Sequence, residues 1–389
     1  MIYLDYQSTT PVAPEVAAAM RPWIEERFAN PHSPSKWGRE AAAAIEVARG
    51  QIEKAFFQTP FVPSEVEGRV STSLDTNGNE GKFAFTSGAT EALNWAIKGT
   101  VERSERRKIV TIATEHAAVL DSVEWLEGKG YQVVRLPVGP DGLVDMDAAA
   151  EAIDPKTALV AAMLVNNEIG VIQPVAALAE LAHAAGAVML CDAVQGFGRM
   201  ALPEGADLIA ISGHKIHGPK GIGGLWMRTG FEPEPLLHGG GQEQGLRSGT
   251  LSPGLCVGFG EAARIAGERS DADRIHVAKL FEVALTNLGK YWEINGSTTH
   301  RYLGNLNLRR DGLDSARLIS DLRTIAFSLG SACASGSGRP SHVLRALGLS
   351  DRQARSSIRL GFGRYTGEAE LASACRAIAE AANAQLVTG

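Results

Sequence analysis

The sequence predicts an α/β protein: a large domain with a mostly parallel sheet covered by helices, followed by a smaller α+β domain. Three observations carry this. Between about Lys82 and Met227, short apolar runs alternate with amphipathic stretches of helical period. The apolar runs are near-continuous rather than alternating, as in strands buried on both faces and joined by crossover helices. After about Ser252 the pattern changes to long helices with few strands.

In chain order, Lys82–Thr86 reads as a strand that feeds a helix opening at Ala89. Lys108–Ala113 feeds a second helix near His116, and Ala158–Val165 and Ala187–Cys191 continue the series. Ala206–Ile211 and Ile222–Met227 are strands on either side of a glycine-rich turn. Beyond Ser252, strands are expected near Leu303–Leu308 and Ile358–Gly361. The expected domains are 15–255 and 256–389, with residues 1–14 packing on the smaller. Gln58–Glu80 is polar and rich in breakers, and reads as a surface loop or partly disordered insertion. A neutral insertion is favoured there over a binding role.

The 389 residues are enough for two cores, and 44% hydrophobic and 21% charged residues describe an ordinary globular chain. A net charge of -6 argues against nucleic-acid binding as the main function. No run approaches the ~18 apolar residues of a membrane span, and the N-terminus lacks a signal-peptide pattern. Cys191, Cys256, Cys333 and Cys375 are widely spaced, forming neither a disulfide framework nor a metal-ligand pattern. A cytoplasmic chain with reduced thiols and no metal site is expected.

The chemistry concentrates at strand ends. Ile211–Gly224 contains Ser212, His214 and Lys215 where a strand runs into a glycine-rich turn. A lysine desolvated in such a cleft loses its proton readily and can form a Schiff base with a carbonyl. With Ser212 and His214 as phosphate donors, the matching aldehyde is pyridoxal phosphate. Phe85–Glu91 is a strand, a glycine turn and a helix start, so Ala89 and Thr90 are candidate phosphate contacts. A plain capped helix is the competing role.

Asp192 follows a fully apolar strand and can pair with the pyridinium nitrogen, or serve as a helix N-cap. Gln195 can reach the phenolic oxygen. His116, also at a strand end, can stack on the ring and move protons, and Asn167 offers a polar contact to cofactor or substrate. Cys333 lies in Ser328–Gly338 among glycines, serines and alanines, a setting that fits a core cysteine badly. A thiol on such a loop suits a nucleophile that visits a site and leaves it. Arg359, inside a strand-like segment, can bind a substrate α-carboxylate, with a structural ion pair as the competing role.

Together these residues resemble the cysteine desulfurases of the nitrogen-fixation and iron–sulfur-assembly type, class V aminotransferase-like enzymes of PLP fold type I. The likeness runs from Tyr3–Pro11 to Arg359–Thr366 and includes Asn30–Ser33, Val165–Gly170, His238–Glu243, Arg247–Thr250 and Ser331–Ser335. It implies a homodimer with two active sites acting on L-cysteine. Lys215 matches the Schiff-base lysine, Asp192 the pyridinium partner, His116 the acid/base and Gln195 the phenolate contact. Ala89, Thr90, Ser212 and His214 match the phosphate cup, with Thr250 donated by the other subunit. Asn167 and Arg359 match substrate-side positions, and Cys333 the sulfur-accepting nucleophile.

Two departures stand out: the longer, more polar Gln58–Glu80 segment, and Ser35 or Lys36 where the family often carries a histidine. The implied reaction yields L-alanine and a persulfide on Cys333, destined for an iron–sulfur scaffold or another sulfur acceptor such as a tRNA-thiolation or DNA-sulfur-modification protein. The long loop favours direct transfer to several partners over a dedicated shuttle. The alternatives are an aminotransferase or β-lyase on the same fold, and a sulfur-handling scaffold without catalysis.

Overall fold

The computed structural model describes residues 1–58, 81–330 and 340–387. Cys333 and nearly all of the Gln58–Glu80 insertion therefore lie outside the described residues. The chain opens with β1 (Ile2–Tyr3), α1 (Pro14–Glu25) and α2 (Lys36–Gln58). An alternating series follows: β2 (Gly81–Thr86), α3 (Ala89–Glu102), β3 (Lys108–Ile112), α4 (Ala117–Glu127), β4 (Gln132–Leu136), α5 (Met146–Ala152), β5 (Thr157–Met163) and α6 (Val175–Ala184). It closes with β6 (Val188–Asp192), β7 (Leu208–Ser212) and β8 (Gly223–Arg228). The remainder comprises α7 (Pro253–Leu288), β9 (Glu293–Ile294), β10 (Asn305–Arg309), α8 (Ser315–Asp321), β11 (Ile325–Ala326) and β12 (Ser328–Leu329). Last come α9 (His342–Ala346), α10 (Asp351–Arg355), β13 (Ser357–Gly361) and α11 (Glu368–Val387).

The central sheet has seven strands in the order β2-β8-β7-β6-β5-β3-β4. From β7 across to β4 every pairing is parallel, while β8 runs antiparallel to both of its neighbours. The reversal of β8 leaves β2 pointing the same way as β7, so Thr86 and Ser212 end on one edge. β3, β5 and β7 are buried along their whole length, and each fully buried Ile, Leu or Phe contributes about 1.5–3 kcal/mol. That continuous burial is why these strands were readable as apolar runs. β4 was not anticipated: it is the sheet's edge and mostly not buried, its two adjacent valines and Leu136 being interrupted by Arg135.

Residues near the sheet's edge demand close backbone approach. A Cβ on Gly223 would meet Ile211 O at 2.6 Å and the Gly88 backbone at 2.8 Å, so only glycine lets β8 lie beside the turn that opens α3. The long helix α7 packs on α1 and α2 and on α11, and spans two cores. Accordingly Cys256, Phe259 and Ala262 belong to the core under the main sheet, and Leu280, Ala284 and Leu288 to a second core. Around that second core lie β10, β13, β12 and β9, with Leu306, Leu308, Ile358 and Leu360 inside. β1 pairs in parallel with β11, which ties the first residues to this part of the chain. No helix among the described residues is long and apolar enough to cross a membrane.

Candidate active site

The carboxyl ends of β3, β5, β6 and β7, with the start of α3, enclose a cavity of about 500 Å³. Its wall includes Ala89, Thr90, His116, Asn167, Asp192, Gln195, Ser212, His214 and Lys215, all anticipated from sequence. Each arrives on the end of an apolar strand or the turn that follows it. This is the position at which open α/β sheets bind ligands.

Lys215 sits in a short helical turn after β7. Its Nζ donates to the main-chain carbonyls of Gln7 (2.6 Å) and Ser8 (2.8 Å). Burial, reinforced by the positive charges of Arg199 and Arg359, brings its pKa down from 10.5 to about 7. An amine so placed is substantially neutral at physiological pH, as Schiff-base formation requires.

Asp192 is buried at the end of β6, and the only hydrogen bond its carboxylate accepts among the described residues comes from Val194 N (3.0 Å). Burial raises its carboxyl pKa, against the pull of that bond and of His116 and Lys215. It does not cap a regular helix, since the residues after it form turns. Behind it, Glu115 is fully buried and accepts from Met163 N (2.7 Å), and its Oε2 has no partner among the described residues. Burial and the neighbouring Asp192 hold its carboxyl pKa well above the usual range, favouring the protonated form.

His116 is the N-cap of α4, where its Nδ1 accepts from Ala118 N (3.0 Å). That bond assigns the neutral ring's proton to Nε2. Burial, followed by the opposing pull of Asp192 and then the repulsion of Lys215 and His342, leaves the pKa below its ordinary value. His214 contacts Thr9 Oγ1 (3.1 Å), and burial lowers its pKa to about 4. Both imidazoles are therefore neutral at pH 7.

Gln195 donates from Nε2 to Gln7 O (2.9 Å) and accepts at Oε1 from Arg199 (2.6 Å). The Asn167 carbonyl is held by Asn305 Nδ2 (3.1 Å) and Arg359 Nη1 (2.9 Å). Arg359 itself is not on the cavity wall. It is fully buried, paired with Asp5 at 2.7 Å, and bonded through Nη2 to Ser8 Oγ (2.9 Å) and Ser328 Oγ (3.3 Å). The ion-pair role is the one this geometry displays, because Asp5 on the N-terminal segment lies directly against β13. Thr250 is exposed and also absent from the wall.

Sequence reasoning gave no role to Gln7, Ser8, Glu115 or Arg199. Gln7 and Ser8 act through main-chain carbonyls, which side-chain identity does not advertise. Arg199 carried one usable signal: it follows Gln195 by one helical turn's spacing.

The donor set fits pyridoxal phosphate on three counts. Gly88 caps α3 without any side-chain hydrogen bond, so the first N–H groups of α3 are available to an anion beside Ser212 and His214. A buried carboxylate lacking an ion-pair partner among the described residues awaits a cation such as a pyridinium. A depressed lysine stands ready for an aldehyde. Fold and site thus define a pyridoxal-phosphate-dependent α/β enzyme.

The aminotransferase class-V family model matches residues 65–373. A cysteine desulfurase IscS of Rickettsia bellii is 41% identical over 396 residues, covering 98% of this chain and 91% of the relative. Among solved structures, a NifS-like protein superposes with a TM-score of 0.84 at 32% identity, covering 97% of this chain and 98% of its own. A structure described as SspA in complex with cysteine gives 0.79 at 32%, covering 94% and 100%. The chain belongs to the class V aminotransferase family, among its pyridoxal-phosphate-dependent cysteine desulfurases.

Proposed function

We propose that this enzyme converts L-cysteine to L-alanine and passes the sulfur to its own Cys333 as a persulfide, for delivery to an acceptor protein. The observation that carries this reading is the meeting in one cavity of an amine poised near neutrality, Lys215, and the buried carboxylate of Asp192. Family membership and a neighbour described as holding cysteine support the substrate.

Pyridoxal phosphate, when bound, supplies the electron sink at the substrate's α-carbon. The start of α3 (Ala89, Thr90), Ser212 and His214 hold its phosphate, with Thr250 contributed by a second subunit. Asp192 keeps the ring-nitrogen proton, and Gln195 donates to the phenolic oxygen. Lys215 Nζ would hold the cofactor through its aldehyde carbon and would serve as the base that moves a proton at the substrate α-carbon. His116 Nε2 is the second proton carrier. Asn167 contacts the substrate, and Arg359 takes its carboxylate by exchanging the hydroxyls of Ser8 and Ser328 while Asp5 keeps the guanidinium in place. The Cys333 thiolate attacks the substrate sulfur: the C–S bond breaks and an S–S bond forms. Cys333 is oxidised to the persulfide, the substrate carbon is reduced and gains a proton, and alanine departs.

The same reading includes a cytoplasmic homodimer, domains at 15–255 and 256–389, and an iron–sulfur scaffold or another sulfur-acceptor protein as partner. The test is mass spectrometry after exposure to L-cysteine. One added sulfur is expected on the Cys333 peptide and none on those bearing Cys191, Cys256 or Cys375. Cys333→Ser should bind cofactor normally yet lose nearly all alanine formation. Alanine and sulfide at the wild-type rate from that variant would make the protein a lyase.

A further inference from the structure

Arg199 is a cation held behind the site by two residues of its wall, Gln195 and Lys215, with no carboxylate paired to it among the described residues. Its Nη1 donates to Gln195 Oε1 (2.6 Å) and, more weakly, to Gln195 O (3.3 Å). Nη2 donates to the Lys215 carbonyl (2.7 Å), and the guanidinium lies 5.2 Å from the Tyr302 ring centroid. The planar fork thus ties the turn after β6 to the turn after β7. Guanidinium groups only donate, so the Gln195 amide must turn its oxygen toward Arg199. Its nitrogen is thereby sent to Gln7 O (2.9 Å) and the cavity.

We propose that Arg199 is a positioning residue: its fork fixes the Gln195 amide with N–H toward the cofactor's phenolic oxygen and anchors the turn that carries Lys215. This rests on the reading that Gln195 and Lys215 serve the cofactor. With the amide reversed, Gln195 would offer an acceptor to an oxygen that must carry negative charge, and one hydrogen bond would become a repulsion. The charge has a second effect, since Arg199 stands next after burial among the causes that make Lys215 easier to deprotonate. The other charges facing Lys215 are Arg359, Asp5 and Asp192, and His116, His214 and Lys220 share its cavity.

The test is a double-mutant cycle read by the pyridoxal phosphate dissociation constant and by the pH midpoint of the bound cofactor's visible absorbance. Arg199→Met and Gln195→Ala should each weaken cofactor binding about ten-fold. The double variant should lose clearly less affinity than the product of the two single losses, because the part of Arg199's effect that runs through Gln195 is already gone. Losses that multiply independently overturn the proposal, as does wild-type affinity and midpoint in Arg199→Met. Wild-type affinity in Gln195→Ala would instead remove the underlying site reading. Should Arg199→Met fail to fold, Arg199→Lys completes the same cycle. That variant keeps the charge without the fork, so affinity should fall while the midpoint stays at the wild-type value. A midpoint displaced upward in Arg199→Lys overturns the role assigned to the charge.

Discussion

At the scale of single residues, the site is governed by what burial does to charge. Lys215 illustrates this in one direction. Its pKa of about 7 in the folded protein lies well below the 10.5 of a free lysine, so the neutral amine becomes dominant as pH rises through that value. In cofactor-free enzyme, the rate of reloading with pyridoxal phosphate should therefore climb through about pH 7 and level off above it. A rate that keeps rising toward pH 10, followed by the visible absorbance, would contradict the depressed lysine. Asp192 illustrates the other direction. Its carboxyl pKa is raised by burial, so ionisation costs folding stability from the unfolded pKa upward, and the cost is complete above the folded one. Asp192→Asn keeps the shape and removes that cost. The cofactor-free variant should melt no lower than wild type at pH 7, while kcat falls by about 10²-fold with loss of the pyridinium partner. A lower melting temperature with unchanged kcat would mark Asp192 as structural.

Elements explain why some of this was legible in the sequence. Strands β3, β5, β6 and β7 are buried on both faces, so they read as apolar runs, and the first polar residues after them read as site residues. His116, Asn167, Asp192 and Lys215 were all found that way. The edge strand β4 and the carbonyls of Gln7 and Ser8 were not, because neither leaves a side-chain signature. Arg359 was legible as a buried guanidinium, but its partner Asp5 is brought to it only by tertiary structure. The junction of β3 and α4 offers a sharper test, since His116 is both an N-cap and a proposed acid/base. Asparagine is among the best N-caps, so His116→Asn should keep stability within about 0.5 kcal/mol while turnover falls by about 10²–10⁴-fold. His116→Ala should lose the same activity and about 1 kcal/mol more in denaturant unfolding. Equal turnover in the asparagine variant and wild type would reduce His116 to a cap.

For the whole molecule, the question is where the cavity's last wall comes from. The segment leading to Thr250 is firmly seated on its own chain. Glu243 pairs with Arg49 at 2.8 Å and accepts from Phe85 N at 2.7 Å, and Arg247 pairs with Glu91 at 2.8 Å. Yet Thr250 is exposed and does not line its own chain's cavity. An exposed residue carried by a well-anchored segment is suited to serve a neighbour's site. If Thr250 acts across a two-fold interface, mixing two inactive variants should restore activity. In a hybrid of Lys215→Ala and Thr250→Ala subunits, one site inherits both defects. The other combines an intact Lys215 with the intact Thr250 of the Lys215→Ala subunit. Random exchange of equal amounts makes half the dimers hybrid with one good site each, so activity should return to about one quarter of wild type. If Thr250 serves its own chain, every hybrid site carries a defect, and the mixture should show no more than the average of the two variants. Turnover of cysteine to alanine before and after subunit exchange distinguishes the two arrangements, with size-exclusion chromatography establishing that dimers are present.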